Sequence, residues 1–290
     1  MAIIIDENTQ VLVQGITGNQ GVFHTRQMLA YGTKIVAGVT PGKGGATVEG
    51  IPVYNSVREA CENHRIDASV LFIPAPFTKD AAFESLEAGV PVVVIVTEGV
   101  PVHDEIQIVA FAKRKGAIVL GPNTFGICSS GKCKIGIPPN QYFVEGPVGV
   151  VSRSGTLTYE TVGNLTANGL GQSTVVGMGG DRVVGLTFID VLKMFEKDPQ
   201  TKAVVLLGEI GGNAEETASE YIKEMSKPVV AFIAGKSAPP GKRMGHAGAI
   251  IERGKGTYQG KVEALTAAGA KVATLPSEIP ALIKEALGMK

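Results

Sequence analysis

Val11-Leu12-Val13-Gln14-Gly15-Ile16-Thr17-Gly18-Asn19-Gln20-Gly21 runs from an apolar strand through a glycine-punctuated turn into a helix-like stretch at 21–30. A glycine turn between strand and helix marks a βα unit whose helix N-terminus can face an anion. The amides of Thr17, Gly18, Asn19 and Gln20, with the Thr17 hydroxyl, suit a pyrophosphate at the positive helix end. The same glycines would also serve a turn that only packs helix on strand. Their spacing, Gly-x-x-Gly-x-x-Gly, is a variant of the dinucleotide fingerprint.

Outward from that turn the unit repeats. Apolar runs at 11–13, 35–39, 69–73, 92–96 and 118–120 alternate with helix-like stretches at 21–30, 56–64, 78–88 and 103–115. Short apolar strands alternating with helices predict parallel βαβ units. A second series has strands at 148–152, 174–178, 202–207, 228–234 and 271–274, and helices at 156–167, 187–196, 214–225, 257–268 and 277–287. Between the series, residues 121–147 break the rhythm with four prolines and five glycines. The expected organisation is therefore α/β, with two doubly wound domains at 1–121 and 148–290 joined by a connection at 122–147. Sites are expected beyond the carboxyl ends of the strands.

Composition narrows the function classes. Among 290 residues, Lys plus Arg and Asp plus Glu are 27 each, so no global field favours nucleic acid or an anionic membrane. The opening Met1-Ala2-Ile3-Ile4-Ile5-Asp6 lacks a basic leader pattern, and no apolar run reaches membrane length, so a soluble cytoplasmic protein is expected. Cys61, Cys128 and Cys133 are odd in number and lack a second ligand pair, so neither a disulfide framework nor a zinc site is expected.

The second strand argues against NAD. An NAD site places an acid near its end for the ribose hydroxyl; here Thr40-Pro41-Gly42-Lys43-Gly44-Gly45 follows instead. Lys43 suits a phosphorylated ribose, which NADP and coenzyme A both carry. Ile73-Pro74-Ala75-Pro76 and Val96-Thr97-Glu98-Gly99 end the next strands on the same rim, where they could wall an adenine and a pantetheine arm.

The second series carries another anion site and an acid. Ser154, Gly155 and Thr156 stand between a strand and a helix, able to direct amides and hydroxyls at an anion or simply to cap the helix. Glu209 follows a strand in Gly208-Glu209-Ile210-Gly211-Gly212. In Gly245-His246-Ala247-Gly248-Ala249-Ile250-Ile251 small neighbours leave one histidine uncovered, and a neutral imidazole is a competent nucleophile. If the strand order sets Glu209 beside His246, the carboxylate fixes one ring nitrogen and leaves the other to attack. His24, His64 and His103 read as structural or solvated. Gly235–Arg243 is no P-loop, because five residues separate its glycines and no Ser or Thr follows the lysine.

Three segments together carry a family resemblance. Gly245–Ile251, Ser152-Arg153-Ser154-Gly155-Thr156-Leu157-Thr158-Tyr159-Glu160 and Gly208–Gly212 closely resemble the α subunits of succinyl-CoA synthetases (succinate–CoA ligases). Gly15–Gly21 and Val39–Gly45 fit the same family, so the likeness covers essentially the whole chain. The resemblance implies a Rossmann-like CoA-binding domain followed by a flavodoxin-like domain with a transiently phosphorylated histidine. It also implies a β partner whose ATP-grasp domain binds ATP or GTP with Mg²⁺, in an αβ or α2β2 assembly. On that basis Thr17, Gly18, Asn19, Gln20, Lys43, Val96, Thr97 and Glu98 would bind CoA, and Tyr159 would lie near the acid. Glu209 would support the phosphohistidine at His246, and the helix start at Ser154 and Gly155 would receive its phosphoryl group.

Two places depart from the family pattern. Thr124-Phe125 stand where many members carry Cys-Pro, and Arg182 where proline is common. Related CoA ligases acting on malate share most of these motifs, so the first change bears on the choice of acid; succinate is the expected one. Two further readings are an NADP-dependent oxidoreductase, which leaves His246, Glu209 and Ser154 without a joint role, and a non-catalytic CoA-binding protein.

Overall fold

The structure, a computed structural model, describes residues 2–239, 241–251 and 254–289. The first series builds β1 (Gln10–Gln14), α1 (Asn19–Ala30), β2 (Lys34–Val39), β3 (Thr47–Val48), β4 (Ile51–Tyr54), α2 (Val57–Asn63) and β5 (Ala68–Leu71). It continues with α3 (Ala75–Glu87), β6 (Val92–Ile95), α4 (Val102–Lys115) and β7 (Ile118–Leu120). The sheet order is β3-β4-β2-β1-β5-β6-β7, parallel except for the β3–β4 pair. Leaving out β3, this is the 3-2-1-4-5-6 order of dinucleotide-binding sheets. Runs such as Val92-Val93-Val94-Ile95 form its inner strands because both faces are covered, so every position is buried.

The second sheet comprises β8 (Gly126–Ser129), β9 (Cys133–Gly136), β10 (Glu145–Ser152), β11 (Gln172–Gly177), β12 (Ala203–Glu209), β13 (Val229–Ala234) and β14 (Lys271–Ala273). Its helices are α5 (Gly155–Ala167), α6 (Phe188–Lys197), α7 (Ala214–Ile222), α8 (Tyr258–Ala267) and α9 (Ile279–Ala286). The order is β14-β13-β12-β10-β11-β8-β9. Its parallel part follows the 2-1-3-4-5 winding of flavodoxin-like sheets.

Two expectations need correction. Residues 122–147 are more than a connection, because β8 and β9 form an antiparallel hairpin on the edge of the second sheet. At its root Gly126 and Gly136 face each other so closely that a Cβ on either would meet opposing backbone within 2.4 Å. Glycine there permits pairing rather than a loop. The hairpin also ties the two sheets together: Thr33 Oγ1 donates to the Lys134 carbonyl at 2.7 Å and Ser129 Oγ to that of Ile5 at 2.8 Å. Strands β3 and β4 were likewise not expected, since Pro52 and two glycines break up an edge segment only a few residues long.

No helix among the described residues is long and apolar enough to cross a membrane.

Candidate active site

In the first sheet the glycine turn works by close approach. Gly15 has φ +74°, and a Cβ there would meet the Phe72 carbonyl oxygen at 2.5 Å; one on Gly21 would meet that of Gly15 at 2.1 Å. The start of α1 therefore lies directly over the end of β1. Gly18 caps α1 without a side-chain bond, and Gly18, Asn19 and Gln20 are exposed. Thr17 Oγ1 lies 3.1 Å from Thr40 Oγ1 at the end of β2, which draws this turn to the loop bearing Lys43. Asn55 Oδ1 accepts from the amides of Gly42 and Gly44 and so shapes that loop, with Lys43 exposed on it. Gln20, Val96 and Thr97 line one cavity of about 360 Å³ together with His24, Ile73 and Pro74. His24 stacks on Phe72, and burial lowers its pKa to about 4, so it enters this wall as a neutral ring. Ile73 and Pro74 thus line this cavity, and so does His24, which was not expected there.

The second site occupies the point where the sheet order reverses, between β10 and β12. Ser152 pairs with Leu207 and Glu209 with Ala234, so β10, β12 and β13 end side by side. These ends deliver Arg153, Glu209 and the histidine loop. His246 Nδ1 lies 2.8 Å from Glu209 Oε2. That hydrogen bond, opposed by desolvation and aided by the carboxylate's charge, raises the imidazole above its ordinary pKa of 6.5; Arg153 lowers it and Glu98 raises it further. With Nδ1–H donating to Glu209, Nε2 is the nitrogen left for chemistry. On the other side the ring rests against Gly180, whose Cβ would stand 2.6 Å from Cδ2. Sequence reasoning missed Gly180, since only the fold brings the loop after β11 to the histidine.

At the start of α5 the amides of Gly155 and Thr156 have no intrahelical acceptor, and no acid lies in the first turn. Ser154 caps the helix without a side-chain bond. Its amide, expected to face an anion, instead donates to Ser152 Oγ at 3.0 Å, a neighbouring hydroxyl the sequence did not reveal as a competitor. Gly155, Thr156 and the Ser154 hydroxyl remain. One turn on, the Tyr159 hydroxyl is buried without a hydrogen-bond partner, and burial pushes its pKa up. Phe125 meets the Tyr159 ring edge-on at 5.8 Å.

The two sites are joined. The Thr97 carbonyl accepts from the Asn123 amide at 2.9 Å, and the Asn123 carbonyl accepts from Gly180 at 3.1 Å. Three steps of contact thus lead from the first rim to the histidine ring. Beside the histidine loop a cavity of about 510 Å³ is lined by Arg153, Arg182, Lys255, Gly248 and Asn213. Arg182 Nε donates to the Ala247 carbonyl, tying the loop to the turn after β11.

Comparison with known proteins gives this geometry a family. Residues 6–99 match the CoA binding domain model and residues 151–271 the CoA-ligase model. The chain is 61% identical over 287 residues to the succinate–CoA ligase [ADP-forming] subunit alpha 2 of Archaeoglobus fulgidus, covering 99% of this chain and 100% of that one. The chain belongs to the succinate–CoA ligase α-subunit family.

The α-subunit relative from Methanothermobacter thermautotrophicus is 62% identical over 288 residues, covering 99% of this chain and 98% of that one. Among solved structures, ATP citrate lyase from Methanothrix soehngenii, with citrate and coenzyme A, superposes at a TM-score of 0.91 and 27% identity. The match covers 99% of this chain and 50% of the lyase chain, so this α-subunit homologue spans about half the lyase's length.

Proposed function

We propose that this chain is the α subunit of a succinate–CoA ligase, reversibly forming succinyl-CoA through a phosphohistidine at His246. The observation that carries the reading is the 2.8 Å contact between His246 Nδ1 and Glu209 Oε2 at the β10–β12 switch point. It holds one nitrogen as a donor and leaves the Nε2 lone pair to act as the nucleophile.

The Nε2 lone pair attacks the γ-phosphorus of ATP or GTP, an N–P bond forms, and the nucleoside diphosphate leaves. Nucleotide and Mg²⁺ belong in this reading to a β partner with an ATP-grasp domain, where the metal offsets phosphate charge. Among its described residues this chain offers no cluster of three or more His, Cys, Asp or Glu side chains for a metal. Gly155, Thr156 and Ser154 then receive the phosphoryl oxygens at the positive end of α5. A succinate carboxylate oxygen attacks phosphorus, the N–P bond breaks, and an acyl phosphate forms. The buried Tyr159 hydroxyl, lacking a partner, supplies a hydrogen bond to the acid. Finally the CoA sulfur, its proton released to solvent, attacks the acyl carbon, the acyl–oxygen bond to phosphate breaks and phosphate departs. Thr17, Gly18, Asn19, Gln20, Lys43, Val96, Thr97 and Glu98 bind CoA, with the pantetheine arm directed along the Thr97–Asn123–Gly180 contacts toward the histidine. A cytoplasmic αβ or α2β2 assembly is the corresponding state.

The test is reconstitution with the β partner, ATP–Mg²⁺, CoA and a panel of acids including succinate and malate. Acyl-CoA should form best with succinate, and His246→Asn should abolish it while sparing CoA binding. Full turnover by His246→Asn would end this reading.

A further inference from the structure

Arg153 has no role in the scheme above, yet it lies at its centre. Its residue is only 8% exposed. Nη2 donates to the Asp181 carbonyl at 3.0 Å, and a Cβ on Gly248 would stand 2.9 Å from the same nitrogen, so the guanidinium lies beneath the histidine loop. Nε faces Glu209 Oε1 across 3.7 Å. That gap is too long for a hydrogen bond, and both atoms are buried with no hydrogen-bond partner. Buried groups left in this state cost free energy, so chemistry at the site is the natural reason for keeping them. The other oxygen of the same carboxylate holds His246 Nδ1.

We propose that Arg153 is a positioning residue for phosphoryl transfer: anchored on the Asp181 carbonyl, it holds its charge beside Glu209 Oε1 and so offsets the carboxylate's charge at the ring. The inference rests on His246 being the phosphoryl acceptor. Four elements act on the imidazole, Glu209 and Gly180 by contact and Arg153 and Glu98 through their charge. Glu209 comes from β12, Arg153 from the end of β10, Glu98 from the loop after β6, and Gly180 from the turn after β11. In that turn Asp181 is bound by Asn123 Nδ2, and Arg182 reaches the Ala247 carbonyl. The two carboxylates favour the imidazolium and the guanidinium opposes them. An imidazolium has no lone pair for phosphorus, so two acids acting unopposed would hold the ring in its unreactive form. The arrangement orients the ring through Glu209 while the guanidinium limits how far that acid favours the protonated form.

The test follows the His246 ring by histidine-selective ¹⁵N NMR across a pH titration of the full chain. Arg153→Gln retains an amide donor for the Asp181 carbonyl but removes the charge; it should raise the His246 midpoint by about one pH unit, the low end for a nearby charge. Arg153→Lys should bring the midpoint back toward wild type. In the unaltered chain, the Arg153 Nε–H resonance should shift with the same midpoint as His246. An unchanged or lowered midpoint in Arg153→Gln would overturn the proposal, as would an Arg153 resonance blind to the histidine. If Arg153→Gln does not fold, that wild-type resonance decides the matter. None of these readouts requires phosphate transfer. Failure of the ligase reading would appear separately, as His246 remaining unphosphorylated with the β partner and ATP–Mg²⁺.

Discussion

Replacing Gly180 with alanine perturbs the histidine geometry without removing a single polar group. The new Cβ would stand 2.6 Å from Cδ2 and Cγ of His246 and 2.9 Å from Nδ1. Carbon atoms in contact settle near 3.5 Å, so the ring must retreat by about 0.9 Å. Gly180 is outside the left-handed region, so its backbone accepts alanine and the strain falls on the ring. Nδ1 moves with it, which stretches or bends the 2.8 Å bond to Glu209. A misplacement of roughly 1 Å costs on the order of 100-fold in rate, whereas overpacking at one methyl costs about 1–3 kcal/mol of stability. Quenched-flow measurement of acid-labile phosphate, with the β partner and ATP–Mg²⁺, should therefore show phosphorylation of Gly180→Ala slowed about 100-fold. CoA affinity, read by calorimetry, should fall far less than the phosphorylation rate. A folded Gly180→Ala protein phosphorylated at the wild-type rate would refute this ring placement.

Three further outcomes are expected. Lys43→Ala should weaken CoA about ten-fold or more, as loss of a charge-assisted contact of roughly 1.5–3 kcal/mol implies; dephospho-CoA should hardly respond, and equal losses for both ligands would remove Lys43 from the ribose phosphate. The phosphorylation rate should fall as pH drops through a His246 midpoint above 6.5, and Glu209→Gln should move that midpoint down. The same pairing adds stability that is full below about pH 6.5 and is lost as pH rises through the raised value; Glu209→Gln should therefore destabilise most at low pH, as thermal melts would show. Tyr159→Phe removes a buried hydroxyl without a partner, so it should leave stability unchanged or up by about 1 kcal/mol while raising KM for the acid; an unchanged KM would exclude that hydroxyl from the substrate.

Much of the fold was legible because β-branched runs such as Val92–Ile95 end at glycine turns, and the turn at Gly15–Gly21 has a direct steric reason. The hairpin of β8 and β9 was not, because its glycines resemble loop punctuation until their close backbone contacts are seen. His246 and Glu209 could each be placed at a strand's carboxyl end from sequence. Their adjacency needed the strand order, which sets β12 beside β13. Arg153 and Gly180 lie across that order, at the end of β10 and in the turn after β11; Arg153 falls within the Ser152–Glu160 segment, but nothing local shows that either stands near the histidine. The Ser154 amide was misjudged because its acceptor, Ser152 Oγ, depends on a rotamer.

The central claim is that phosphate passes through His246 at the nitrogen that Glu209 leaves open. Its most direct test is to incubate the chain with its β partner and ATP–Mg²⁺, map the labelled residue by mass spectrometry, and identify the phosphohistidine isomer by NMR. Phosphate on Nε2 of His246, absent without the β partner and discharged by succinate with CoA, is the expected result. Phosphate on Nδ1 or on another residue, or equal labelling of the isolated chain, would contradict it.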